Sequence, residues 1–354
     1  MSLRAWAVAL CWAAAAAGCR AESLAGYYAQ SIGGHLEMMR KARPLADWLA
    51  DETTPEPLKE RLRLAQQMRE FAVRELKLPD NASYRRYADL GRPAAVWNVV
   101  ATPELSLQLK TWCFPVLGCI GYRGYFERAD ADALAASLRA EGLEVNVYGV
   151  PAYSTLGWSN WMGGDPLLNT FLRSGDAEVA RLMFHELAHQ VVYAGDDTMF
   201  NESFATAVER IGVRLWLERE GSAAAREQAG LGEQRRQDFR ALTRRTREAL
   251  ERLYASPASD TEKRAGKAGL MVALRAEHET LKRERWGGYA GYDAWFVQAN
   301  NASFGVQAAY DELAPAFEHL FEREGADFDH FYQAVKRLAG LPKAERHATL
   351  RSLS

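Results

Sequence analysis

After its first nineteen residues this 354-residue chain has no uninterrupted apolar stretch approaching the about twenty residues that a membrane-spanning helix needs. A polytopic membrane protein is thereby excluded, and the mature chain is expected to be soluble. The sequence also lacks a surplus of either charge, with 44 Lys and Arg against 46 Asp and Glu. No basic field gathers phosphates, so nucleic acid is not an expected partner. Arg235-Arg236 and Arg244-Arg245 alternate with acids and apolar residues, as the solvated face of a helix does. Cysteine is scarce: there are four, and beyond Cys19 only Cys113 and Cys119 remain. With no histidine near them they make a poor metal site, and the local sequence supplies no base to turn either into a nucleophile. What the chain does have is apolar residues, 48% of the total, enough for one large core or two small ones. No internal repeat divides it.

The amino terminus has a different texture. Arg4 is the only charge in a stretch whose apolar run ends Ala16-Ala17-Gly18-Cys19, the pattern of a secretion signal. Small residues directly before a cysteine resemble a bacterial lipoprotein signal, in which Cys19 becomes the lipidated first residue; a plain signal peptide cut nearby is the alternative. By the lipoprotein analogy the protein is exported, anchored by lipid at Cys19 and facing the periplasm, with Arg20 pointing to the outer membrane. Oxidising compartments favour disulfides. Cys113 and Cys119, with Pro115 and Gly118 between them, are therefore expected to close a small loop ahead of Tyr122-Arg123-Gly124-Tyr125. No protein partner is indicated.

From Tyr27 to about Leu78 the apolar residues Leu62, Ala65, Met68, Ala72 and Leu76 recur at helical spacing, predicting two antiparallel helices broken near Pro55 and Pro57. Between Tyr84 and Tyr153 the runs shorten and become β-rich, as in Val96-Trp97-Asn98-Val99-Val100 and Val145-Asn146-Val147-Tyr148. A helix from about Asp130, a plausible cap, to Glu141 lies between those runs and predicts a mixed sheet with a crossover helix. After Asp176, another cap candidate, helical periodicity returns and persists. Residues Ala223 to Tyr254 and Thr261 to Arg285 read as two long antiparallel helices around the turn at Ser256-Pro257-Ala258-Ser259-Asp260, with further helices near 308–323 and 327–339. The expected class is α+β, mostly helical.

One motif has a mechanism in its spacing. In His185-Glu186-Leu187-Ala188-His189, two histidines four apart stand one helical turn above each other and can point at one metal. The apolar residues Ala180, Met183, Phe184, Leu187 and Val191 run along another face, so burial and ligation do not compete. Catalytic zinc takes three protein ligands and keeps a fourth position open. Glu202, in Asn201-Glu202-Ser203-Phe204-Ala205 after the turn through Ala194-Gly195-Asp196-Asp197, is the natural third ligand. Asp196 or Asp197 is the alternative, and a histidine six residues after His189 is excluded because position 195 is glycine. Thr206 and Glu209 continue a polar stripe from Glu202 and can orient a ligand histidine through its other nitrogen.

The chemistry expected of one zinc in this setting is hydrolysis, with Glu186 taking a proton from the attacking water and returning it to the leaving amine. A further donor should stabilise the oxyanion. Tyr310 is preferred, with Tyr292 and Tyr289 as the other candidates. The three Asn-x-Ser sequences at Asn81, Asn201 and Asn301 are read as coincidence, since a glycan at Asn201 obstructs the site.

His-Glu-Leu-Ala-His followed by Asn-Glu-Ser-Phe-Ala resembles the gluzincin branch of zinc metallopeptidases, in which the glutamate of the second motif is the third ligand. More closely, the chain resembles a family of predicted bacterial aminopeptidases, often lipoproteins. The matching segments are Tyr122-Arg123-Gly124-Tyr125-Phe126, Tyr153-Ser154-Thr155-Leu156-Gly157, His185 to Glu209 and Asn300-Asn301-Ala302. The resemblance implies a peptide substrate, a zincin-like core, and an edge strand at Tyr153 to Gly157 that hydrogen-bonds the substrate backbone. It also implies an order along the chain: signal peptide 1–19, helical hairpin 20–82, catalytic core 83–210, and a helical region 211–354 completing the site. Only twelve residues separate His189 from Glu202, fewer than in thermolysin-like enzymes, and no Gly-Ala-Met-Glu-Asn motif grips a substrate amine. Endopeptidase or carboxypeptidase action therefore stays open, as does a non-catalytic zinc that staples two helices of a binding module.

Overall fold

The structure, a computed structural model, describes residues 24–114, 118–152, 163–307 and 313–353. Cys19 and its signal segment, the segment Tyr153 to Gly157, and Tyr310 lie outside the described residues. Helix α1 (Leu24–Lys41) leads through the short strand β1 (Arg43–Pro44) and helix α2 (Leu45–Ala50) to helix α3 (Glu56–Arg74). The break falls at the predicted prolines: Pro55 takes the cap position of α3, and Pro57 lies in its first turn, where a missing N–H costs nothing. The predicted stripe from Leu62 to Leu76 is fully buried.

Strands β2 (Arg86–Ala88), β3 (Val96–Thr102), β4 (Trp112–Phe114), β5 (Gly118–Ile120) and β6 (Arg123–Tyr125) come next, then helix α4 (Arg128–Ala140) and strands β7 (Glu144–Val150) and β8 (Leu167–Leu168). In place of one mixed sheet there are, among the described residues, three small ones, ordered β1-β2-β8, which is itself mixed, β6-β3-β7 and β4-β5. Strand β3 is antiparallel to both neighbours, running from Val96 opposite Val150 to Thr102 opposite Glu144. Helix α4 is thus not a crossover between parallel neighbours. It starts after Glu127 rather than at Asp130, and its Ala131, Ala135 and Leu138 bury against Val99, Ala101 and Val145 of the sheet. In β4-β5, Cys113 and Cys119 stand directly opposite each other and are disulfide-bonded.

The remainder is helical: α5 (Asn169–Leu172), α6 (Asp176–Ala188), α7 (Thr198–Arg219), α8 (Ala223–Ala255), α9 (Asp260–Glu284), α10 (Asp293–Gln298), α11 (Asn301–Gln307), α12 (Ala314–Arg323), α13 (Phe328–Ala339) and α14 (Lys343–Arg351). The long pair α8 and α9 matches the predicted pair to within a residue at each end, and Ser259 with Glu262 forms a capping box that starts α9. The protein is therefore α+β and mostly helical. One hydrophobic core reaches from Met38 to Leu350 and takes in α3, α6, α7, α12 and α13. Glycine at 212 lets α7 lie close on α6, since a Cβ there would meet Leu76 Cδ1 at 2.6 Å and Phe184 Cδ2 at 2.9 Å. Among the described residues no helix is long and apolar enough to cross a membrane.

Candidate metal centre

Helix α6 opens at Gly175, whose position has no side-chain cap, and Asp176 is its first residue, ion-paired with Arg61. Its apolar face of Ala180, Met183, Phe184 and Leu187 is fully buried. The turn that follows is fixed by its own side chains. Asn201 Oδ1 accepts from Ala194 N (2.7 Å) while its Nδ2 donates to Ala194 O (2.7 Å). Asp197 caps α7 by accepting from Phe200 N (3.2 Å). Both engagements bear on the sequence alternatives. Asn201 is buried and leaves no room for a glycan, and Asp197 is turned toward Arg346 and His347 rather than toward the histidines.

This hairpin brings His185, His189 and Glu202 together. His189 Nε2 lies 3.2 Å from His185 Nε2, which is 3.3 Å from Glu202 Oε2, and His189 Nε2 is 3.8 Å from Glu202 Oε1. Donors about 2.0–2.2 Å from a tetrahedral zinc stand about 3.3–3.5 Å from one another. The two imidazole nitrogens and the two Glu202 oxygens stand close to that spacing, near enough for one ion to take a donor from each of the three residues.

Glu209, two turns after Glu202 on α7, completes the orientation of His185. Its carboxylate can only accept, so His185 Nδ1–H donates to Glu209 Oε2 (3.0 Å) and Nε2 is the atom presented to the cluster. Arg181 binds the other Glu209 oxygen. Thr206, the other predicted orienting residue, is buried but makes no hydrogen bond to either histidine among the described residues. Replacing Glu209 by Gln sets an amide donor against Arg181 or His185 and should weaken zinc binding about 10- to 100-fold, read by competition with a chelating dye. An unchanged affinity would show that packing alone orients His185.

The electrostatics ask for a cation. Burial works against a proton on His185, but the hydrogen-bonded carboxylates of Glu202 and Glu209 outweigh it and hold its pKa well above the ordinary imidazole range. Burial, helped by the charge on His185, pushes His189 down to about 4. Glu202 and Glu209 both stay below the usual carboxylate range; burial would raise them, and the His185 hydrogen bond prevails. Arg181 answers the charge of Glu209, and the partly buried Glu202 carboxylate is left to pair with a cation beside His185 and His189.

A second grouping, His278, Glu279 and Asp293, is a poorer fit. Glu279 faces Nδ1 of His278 (3.7 Å) and Asp293 faces Nε2 (3.4 Å), on diverging sides of one ring. The ring stacks on Phe296 with centroids 4.0 Å apart, and Lys282 already neutralises Asp293.

The structure does not bring Tyr289 or Tyr292 to the histidines. Both line a cavity of about 480 Å³ with Asp176, Glu178 and Arg236, at the opposite end of α6, and Tyr292 stacks on Phe239. Asn300 and Asn301 are framework: Asn300 Nδ2 donates to Val145 O (3.1 Å) and Asn301 Nδ2 to Glu104 O (2.7 Å), fastening α11 to the sheet. Two tyrosines that the sequence reading did not offer as site residues do border the cluster. Tyr193 sets its half-exposed ring edge-on to His189, centroids 6.3 Å apart. Tyr122 has its phenol pKa raised by burial, then by Tyr148 and the charge of Glu202. Arg181 precedes His185 by one helical turn, a spacing that marks it as a neighbour of the cluster, whereas Tyr193 lies past the end of α6 and had no such mark.

No curated protein and no solved structure matches the chain. A family model does, over residues 26–350, which include every element of the cluster. The chain belongs to the family described as "Putative aminopeptidase".

Proposed function

We propose that the protein is a zinc-dependent peptidase, acting as an aminopeptidase, with His185, His189 and Glu202 as ligands and Glu186 as general base. The observation that carries this reading is the convergence of His185 and His189, at the end of α6, with Glu202 of α7, close enough for one ion to take a donor atom from each, with Glu186 in the chain between the two histidines. When bound, zinc supplies Lewis acidity toward a water and a carbonyl oxygen. Glu186 accepts the proton of the attacking water and delivers it to the leaving amine. Glu209 keeps the His185 ring turned to the cluster through Nδ1, and Arg181 keeps Glu209 in place. Structural zinc sites close with four protein ligands, whereas three side chains converge here among the described residues. Export with a lipid anchor at Cys19 belongs to the same proposal and rests on the amino-terminal sequence.

The test is metal content of the purified mature protein together with hydrolysis of matched peptides with free and blocked amino termini. One zinc per chain, and cleavage of free-amine peptides that a chelator abolishes, is the expected result. Equal cleavage of blocked peptides reassigns the enzyme as an endopeptidase. Bound zinc without cleavage of either set overturns the catalytic reading.

A further inference from the structure

Tyr84 combines three features that rarely meet in one residue. Its backbone is left-handed, φ 65°, a region bulky side chains seldom enter. Its ring is 2% exposed and packs in the core that holds Met183, Phe184 and Leu187 of α6. Its hydroxyl is buried and has no hydrogen-bond partner among the described residues, an unfavourable state for a polar group. Strain and an unsatisfied polar atom in one place point to a use beyond the fold.

The loop that carries Tyr84 is pinned from several sides. Buried Arg69 donates from Nε to Ser83 O (3.0 Å) and from Nη2 to Pro79 O (2.7 Å) and Asn81 O (3.3 Å). Tyr84 N donates to Asp165 O (2.7 Å), and Gly164, itself left-handed at φ 69°, has no room for a Cβ against the Ser83 backbone. What the loop lies against is the site helix. Asn81 Nδ2 donates to Gln190 Oε1 (2.6 Å), and Gln190 Nε2 donates to Ser83 Oγ (3.3 Å). Gln190 comes four residues after Glu186, in the turn just past the end of α6, so loop 79–85 is fastened to the carboxyl end of the helix that carries Glu186. The charges on the page agree: after burial, Glu186 is the strongest influence raising the Tyr84 pKa, ahead of Asp165, with Arg69 opposing.

We propose that Tyr84 is a positioning residue for Glu186, its hydroxyl serving as the buried donor that steadies the Glu186 carboxylate when substrate is bound. Hydrogen bonds of this kind are commonly long in the free enzyme and tighten in the Michaelis complex. The Tyr84 proton stays on its oxygen throughout; only Glu186 gains and loses one. The inference rests on the peptidase reading above.

Tyr84→Phe keeps the ring and deletes the hydroxyl, so stability and catalysis should part company. The expected result is a kcat lower by about 10- to 100-fold with KM and zinc content unchanged, while Tm is the same or higher by about 2 °C because an unsatisfied hydroxyl has gone. A hydroxyl with a merely structural role gives the reverse, a lower Tm with kcat unchanged, and that overturns the assignment. So does a variant that keeps both. A wild type that cleaves no peptide removes the peptidase reading and this assignment with it, whereas an active wild type with an equally active variant removes the assignment alone.

Discussion

Glu186→Gln should retain its zinc and lose hydrolysis, with kcat lower by about 10²- to 10⁴-fold. The substitution is isosteric and leaves His185, His189 and Glu202 as they are, so the cluster of donor atoms is kept. What goes is basicity: an amide cannot take a proton from water at neutral pH. The loss corresponds to about 3–5 kcal/mol of transition-state stabilisation, far more than a surface change produces. Metal content and kcat must be read on the same sample. A variant that keeps wild-type kcat removes Glu186 from the base role, and one that loses its zinc makes Glu186 a ligand instead.

The second large effect is on stability. Asp197→Ala should destabilise the fold by about 3–5 kcal/mol, because it removes the buried counter-charge of Arg346 and leaves that guanidinium only the exposed Asp196. The Asp197 side chain is fully buried and accepts from Arg346 Nη1 (2.8 Å), itself 3% exposed, and from His347 Nε2 (2.7 Å), besides capping α7 through Phe200 N. Denaturant unfolding reads the loss, and a variant within 1 kcal/mol of wild type would mean that the guanidinium finds other partners. The same residue gives the pH sense. Burial would raise its pKa, but the Phe200 N–H, Arg346 and His347 outweigh that and hold it below its ordinary value of 3.8. The unfolded chain therefore binds more protons between the two values. Stability from this group is complete above about pH 4 and fades as pH falls through the depressed value, so wild type should lose stability on acidification more steeply than Asp197→Ala.

The cluster was legible because helix geometry alone makes the argument: His185 and His189 are four apart, and Glu202 follows a turn short enough to fold back. Glu209 was legible for the same reason, through its spacing from Glu202 along one face. The helix starts were misread where a carboxylate near a boundary invites the role of cap, and Asp130 and Asp176 both prove to be inside their helices. The sheets were misread because the helix between β3 and β7 suggested a crossover, while the two strands pair antiparallel, and the other strands, of two or three residues, carry too little alternation to name their partners. Tyr84 could not have been singled out at all. Its left-handed backbone depends on Arg69, Gly164 and Gln190, and nothing in the local sequence Asn81-Ala82-Ser83-Tyr84 requires it.

All three donors lie within residues 185–202, and the bonds that shape their turn, Asn201 to Ala194 and Asp197 to Phe200, are internal to that stretch. Viewed as polymer statistics, this is a short loop with a small closure entropy. A denatured chain can thus bring its histidines around an ion at little cost and keeps a residual affinity for it. Binding to the denatured state subtracts from the stabilisation that binding to the native state confers. A zinc ion held as proposed would accordingly be a weaker guard against heat than at a centre whose ligands come from distant parts of a chain, and thermal resistance would fall to the shared core and the Asp197–Arg346 tie.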